Sequence, residues 1–178
     1  QLLKNPLNKK IIIGYIGKNS VLAKSFVKNF QKQFILKVFA GDIRDYKRLN
    51  IWFKKNTDIN IFINFAAITS LPVCEKNKKT AINVNCKSVI KLLNLLNNIH
   101  MDNFNYFLSL STSHVFKKSF FKLKENSTKK PTNYYGVSKL KLENYILKNK
   151  KKFKFKIGIA RIFNYYNSGS KKGFFIND

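Results

Sequence analysis

The apolar positions of this chain change period as it proceeds, and the changes mark its elements. Lys10 to Ile13 opens with a short apolar run that ends at Gly14. A parallel strand buried on both faces reads this way. From Ser20 to Phe30 the residues Val21, Leu22, Phe26, Val27 and Phe30 return at helical spacing. Phe34 to Phe39, Ile59 to Phe65, Phe104 to Leu110 and Phe153 to Ile162 predict four further strands. Between them lie a helix capped by Asp45 that carries Leu49, Trp52 and Phe53, a long helical pattern from Thr80 to Ile99, and a helix from Tyr135 to Leu147. Strands alternating with helices predict an α/β architecture, a doubly wound parallel sheet with right-handed crossovers. Lys117 to Asn133 is rich in Lys, Ser, Thr and Pro and predicts a surface loop near the site.

Composition narrows the classes. A chain of 178 residues suits one domain, and no repeat or linker divides it. With 44% hydrophobic and 15% aromatic residues it is not disordered for want of apolar surface. No apolar run approaches the roughly 18 residues that span a bilayer, and no secretory leader pattern is present. Two cysteines, Cys74 and Cys86, do not make a disulfide scaffold and fit a reducing cytoplasm. The net charge of +27 invites a polyanion partner. However, it comes from 32 Lys and only 3 Arg, alongside 23 Asn and many Ile and Phe. These are residues of A/T-rich codons, and Arg is the residue preferred for bidentate phosphate contacts. Base composition and solvated faces therefore account for the charge, and no specific nucleic-acid partner is expected. Binding to a polyanion remains a rival reading, to be recognised by its collapse with added salt. The chain runs from Gln1 to Asp178 without an obvious terminal element, as expected of a piece of a longer reading frame.

Three motifs carry chemistry. Gly14-Tyr15-Ile16-Gly17-Lys18-Asn19-Ser20 follows a strand and opens a helix, where glycines let backbone approach a pyrophosphate at a helix N-terminus. The third glycine place holds Ser20, and an ordinary strand-to-helix turn has the same composition. Tyr135 and Lys139 share one helical face. A neighbouring ammonium is expected to lower the phenol pKa, letting the pair move a proton to or from a carbinol or carbonyl oxygen. In a Lys-rich chain the spacing also arises by chance. Leu108 to Phe116 predicts a strand ending in hydroxyls, at the carboxyl end where parallel sheets place ligands. Such hydroxyls are equally a common turn composition.

These motifs come in series: the glycine turn, Gly41-Asp42-Ile43-Arg44-Asp45, Asn64-Phe65-Ala66-Ala67, Asn83-Val84-Asn85, Ser111-Thr112, Tyr135 to Lys139, and Arg161-Ile162-Phe163-Asn164. The series resembles the extended short-chain dehydrogenase/reductase family of nucleotide-sugar epimerases, dehydratases and reductases, from residue 10 to about 175. The resemblance implies a Rossmann domain over residues 1–178, with a substrate-binding part starting near 162 and largely absent. It implies that Gly14, Ile16, Gly17, Lys18 and Asn19 lie at the cofactor pyrophosphate, Asp42 and Ile43 at the adenine, and Ala66, Ala67, Ile68, Asn85 and Leu110 along the rest of an NAD or NADP cofactor. It makes Tyr135 the acid/base, Lys139 its partner and holder of the nicotinamide ribose, and Thr112 a second donor to the reacting oxygen. Thr69, Thr112, Ser113 and Asn164 would meet substrate, and Arg161 to Asn167 would begin its pocket. No metal site is expected.

Departures from the family pattern refine the expectation. Ser113 and His114 stand where dehydratases carry an acidic pair, which argues against 4,6-dehydration; His114 is expected to be structural. No acidic residue stands before Asp42 at the end of the second strand, so NADP is expected to be accepted as well as NAD. The short join there, and Ser111-Thr112 to Phe116, lean toward the dTDP-4-dehydrorhamnose reductases. The expected reaction is thus reduction of a 4-keto group on a nucleoside-diphosphate sugar. The alternatives are a 4-epimerase and a non-catalytic dinucleotide-binding protein. A cytoplasmic homodimer, paired through the helices at Thr80–Ile99 and Tyr135–Leu147, completes the expectation.

Overall fold

The computed structural model describes residues 10–163. Strands β1 (Ile12–Ile16), β2 (Ile35–Phe39), β3 (Ile61–Asn64), β4 (Tyr106–Thr112) and β5 (Lys156–Ile162) form one parallel sheet in the order β2-β1-β3-β4-β5. All five predicted strands are present, and the predicted parallel α/β topology is the observed one.

The helices are α1 (Val21–Phe30), α2 (Tyr46–Lys54), α3 (Leu71–Lys76), α4 (Lys78–Ile82), α5 (Ser88–Asn98) and α6 (Tyr134–Asn149). Asp45 caps α2 as expected, its side chain accepting from the Arg48 amide at 3.1 Å. Two features depart from the expected pattern. The stretch from Thr80 to Ile99 is not one α-helix, because a π-turn at Asn83–Lys87 separates α4 from α5. The six-residue α3, with Pro72 in its first turn, is too short for apolar periodicity to reveal. The loop at 117–133 contains no helix or strand.

The main core lies between the sheet and the helices α2, α5 and α6. Phe53, Phe62, Phe107, Leu92 and Leu93 are fully buried there. Phe62 and Phe107 are register partners whose rings stack at 6.0 Å. Burial of each such ring stabilises the fold by about 1.5–3 kcal/mol. On the opposite face, α1 packs Ala23, Phe26 and Val27 against Ile13, Tyr15 and Ile63. Leu110 and Ile162 line a shallow apolar groove there with Leu22, Phe26 and Phe65.

The chain passes from β1 to one side of the sheet and from β3 to the other. The crevice at the carboxyl ends of β1 and β3 is therefore the topological switch point, where open α/β sheets take their ligands.

Candidate active site

The turn after β1 is closed and tightly seated. Gly17 has φ +86°, and a Cβ there would stand 2.5 Å from the Ala66 amide nitrogen and 2.6 Å from the Phe65 carbonyl carbon. Only glycine combines that backbone with that approach. The Ser20 amide donates to the Gly17 carbonyl at 3.0 Å, and the Ser20 hydroxyl accepts from the Ala23 amide at 3.1 Å. Ser20 thus serves as the N-cap of α1, which explains a serine in the third glycine place. Lys18 and Asn19 are exposed beside this turn. Gly14 lies within β1, its open side against Ile59 and Phe62, and the Ile16 side chain is fully buried in the core. Ile43 likewise packs in the core. Asp42 is exposed and engaged by Arg44, whose Nε and amino group donate to its two oxygens at 2.9 and 2.6 Å. That ion pair holds the Asp42 carboxyl below its usual range.

The exit of β3 forms the other wall. Buried Asn64 accepts from the Ala66 amide at 3.0 Å and so shapes the Ala66-Ala67-Ile68 segment. Asn85, at the π-turn, accepts from the Ile68 amide at 2.8 Å and donates to the Ile68 carbonyl at 2.9 Å. It also donates to the Ser138 hydroxyl at 3.0 Å, which donates to the Tyr135 carbonyl at 2.7 Å. The π-turn therefore links the β3 exit to α6. Thr69 is exposed just beyond.

The exit of β4 meets the N-terminal half of α6. Asn133 caps α6 by accepting from the Gly136 amide at 2.8 Å, and Glu75 accepts from the Tyr134 amide at 2.7 Å. A Cβ on Gly136 would collide with the His114 carbonyl, so this glycine permits the close approach of α6 to the Ser113–Val115 turn. His114 is exposed, bonded to Asn133 at 2.9 Å, with its ring edge-on to Tyr135 at 5.8 Å. Lys139 is buried, its ammonium donating to the Leu110 carbonyl at 3.0 Å. Burial lowers the Lys139 pKa to about 8. The Tyr135 pKa is raised by burial, while a hydrogen bond with Thr112 pulls it down. The expectation that Lys139 lowers the phenol is thus corrected. The ammonium lies 6.0 Å from the ring centroid and is directed to Leu110, and desolvation prevails. The phenol consequently stays protonated at neutral pH.

Sequence reasoning missed Glu143. This buried carboxylate accepts from the Ser111 hydroxyl at 2.5 Å and from Arg161 Nε and an amino group at 3.0 and 2.9 Å. Its signal lies in the chain: Tyr135, Lys139 and Glu143 stand four apart, and Glu143 is one of only eight acidic residues. Arg161 is turned toward Glu143 and the Glu125 carbonyl of the 117–133 loop. Residues 164–167 of the expected pocket segment, Asn164 among them, lie outside the described residues.

Lys139 makes stability depend on pH. Its folded pKa of about 8 lies below the 10.5 of an ordinary lysine, so between those values the unfolded chain binds more protons and stability rises with pH. From pH 7.5 to 9.5 the Lys139 contribution grows by about 2 kcal/mol. Cys74, Cys86 and Tyr135, all raised by burial, act in the opposite direction, so the Lys139 part is read as the difference between wild-type and variant. Thermal melts of Lys139→Met across this range should lose most of that rise. An unchanged slope would show that Lys139 is not the titrating group.

Among the described residues, no helix is long and apolar enough to cross a membrane. Compared with known proteins, residues 17–176 match the model of the NAD dependent epimerase/dehydratase family. A curated relative from Streptococcus mutans, named UDP-glucose 4-epimerase, is 26% identical over 129 residues, which are 72% of this chain and 38% of that protein. The structure of RMD from Pseudomonas aeruginosa complexed with NADPH superposes with TM-score 0.79 at 20% identity, covering 94% of this chain and 59% of that one. A dTDP-4-dehydrorhamnose reductase from Bacillus anthracis in complex with NADP gives 0.75 at 21% identity, covering 89% and 57%. Both structural likenesses are likenesses of fold.

Proposed function

The chain belongs to the NAD-dependent epimerase/dehydratase family, and from that premise we propose that it binds NAD or NADP and reduces a 4-keto group on a nucleoside-diphosphate sugar. The residues present fit a dinucleotide. The Gly17 turn offers bare backbone at the switch point, beside the Ala66 segment and the N-terminus of α1. Gly17, Lys18 and Asn19 would hold the pyrophosphate, with Ala66, Ala67, Ile68 and the Leu110 backbone flanking the rest. When bound, the cofactor supplies a hydride.

The observation that carries the reading is the meeting of Tyr135, Thr112 and Lys139 at the exit of β4. The protonated Tyr135 phenol is suited to deliver a proton to an oxygen that becomes an alcohol. Thr112 would hydrogen-bond the same oxygen, with Thr69 and Ser113 nearby on the substrate side. Lys139, easily deprotonated, is suited to recharge the phenol. The 4-epimerase reading, which must begin with oxidation, draws support from the Streptococcus mutans relative. The reading includes a homodimer through the outer faces of α5 and α6.

Asp42 is committed to Arg44, and no acidic residue precedes it on β2. NADPH is therefore expected to bind at least as tightly as NADH. Titrating purified protein with each, in high salt to suppress non-specific attraction, tests this. Saturable binding of NADPH supports the reading. A strong preference for NADH removes the NADP part, and no binding by folded protein removes the enzyme reading. Tightly held NAD that copurifies would favour the epimerase.

A further inference from the structure

We propose that Glu143 and Arg161 are positioning residues for the Tyr135–Lys139–Thr112 group and couple it to the 117–133 loop. The proposal rests on the reading above, that this group is the reacting centre.

Tyr135, Lys139 and Glu143 lie on one face of α6, and three consecutive residues of β4 answer them. The Leu110 carbonyl takes the Lys139 ammonium, the Ser111 hydroxyl donates to Glu143, and Thr112, next along the strand, is the polar neighbour that pulls the Tyr135 pKa down. Ser111 and Arg161 are register partners on β4 and β5, so both strands converge on one carboxylate. The fork of Arg161 grips both oxygens of Glu143. Its remaining amino group donates to the Glu125 carbonyl of the loop at 3.1 Å, and Phe116 lies 5.2 Å from the guanidinium carbon.

Apolar contacts between a helix and a sheet tolerate small slips, whereas a bidentate fork fixes distance and angle together. Stability alone does not require the pair, because apolar residues of similar volume often replace a buried ion pair without loss. What the pair adds is register, and a misplacement of about 1 Å at a reacting centre costs about 100-fold. Glu143 also faces Lys139 electrically. The other titratable groups around that ammonium are Cys74 from α3, Cys86 from the π-turn and Tyr135 from α6. Glu143 favours the proton on Lys139 through its charge.

The test compares wild-type, Glu143→Gln and the double variant Glu143→Met/Arg161→Met by NADPH titration and by thermal melts against pH. Glu143→Gln should weaken NADPH binding about tenfold or more and start the alkaline rise in thermal midpoint at lower pH. The double variant should regain the wild-type midpoint at neutral pH without regaining NADPH affinity. Recovery of both would overturn the proposal, as would a Glu143→Gln protein unchanged in both. If wild-type binds no NADPH, the cofactor reading fails. The onset in Glu143→Gln then decides the positioning claim: shifted, it stands; unshifted, it falls.

Discussion

Replacing Tyr135 with Phe is expected to lower turnover of a nucleoside-diphosphate 4-keto sugar by about 10²–10⁴-fold, the range that one well-placed proton donor contributes. The substitution removes a single oxygen. The ring, its edge contact with His114 and the capping of α6 by Asn133 and Glu75 all remain. Cofactor affinity and thermal midpoint should therefore hold, and the loss should fall on the chemical step. Single-turnover oxidation of NADPH in the presence of substrate measures that step directly. A Phe variant within about threefold of wild-type would assign the proton to another group and end the role proposed for Tyr135.

The second large effect is expected at Gly17. Any side chain there meets two obstacles at once. The left-handed backbone costs about 1–2 kcal/mol for a residue with a Cβ. The Cβ also falls on the backbone of Phe65 and Ala66, which cannot swing aside as a flexible side chain can; overpacking adds about 1–3 kcal/mol. Gly17→Asp further places a negative charge where a pyrophosphate is proposed to sit. NADPH binding should become undetectable, and the thermal midpoint should drop. Retention of NADPH binding by Gly17→Asp would place the dinucleotide elsewhere on the chain.

Much of this architecture is legible in the amino-acid sequence. The strands declare themselves through short apolar runs, α1 through its apolar spacing and α2 through its Asp45 cap, because burial on a fixed face leaves a period in the chain. The Gly17 turn and the Tyr135–Lys139 pair are legible for a related reason, since a local backbone or helical constraint binds neighbouring residues. What stays hidden depends on distant residues. Arg161 and Glu143 meet only once β5 lies beside β4 under α6. The direction of the Tyr135 shift hinges on how deeply the ring is buried, which spacing does not reveal. The π-turn escapes notice because it interrupts the hydrogen-bond ladder while leaving apolar residues at nearly helical intervals.

That interruption sets a phase. A π-turn holds one residue more than the α-turn it replaces, and one residue rotates the helical face by about 100°. The segments before and after it consequently answer to different partners. In the first, Ala81 is buried and α4 packs beside α3 and α6, around the site. In the second, Val89, Leu92, Leu93 and Leu96 belong to the main core. A continuous helix would tie these two faces to a single periodicity, so that any adjustment near the crevice would turn the core stripe with it. With the offset at Asn83–Lys87, the two stretches are geared separately, and the crevice side can diverge in sequence while the core stripe keeps its alignment.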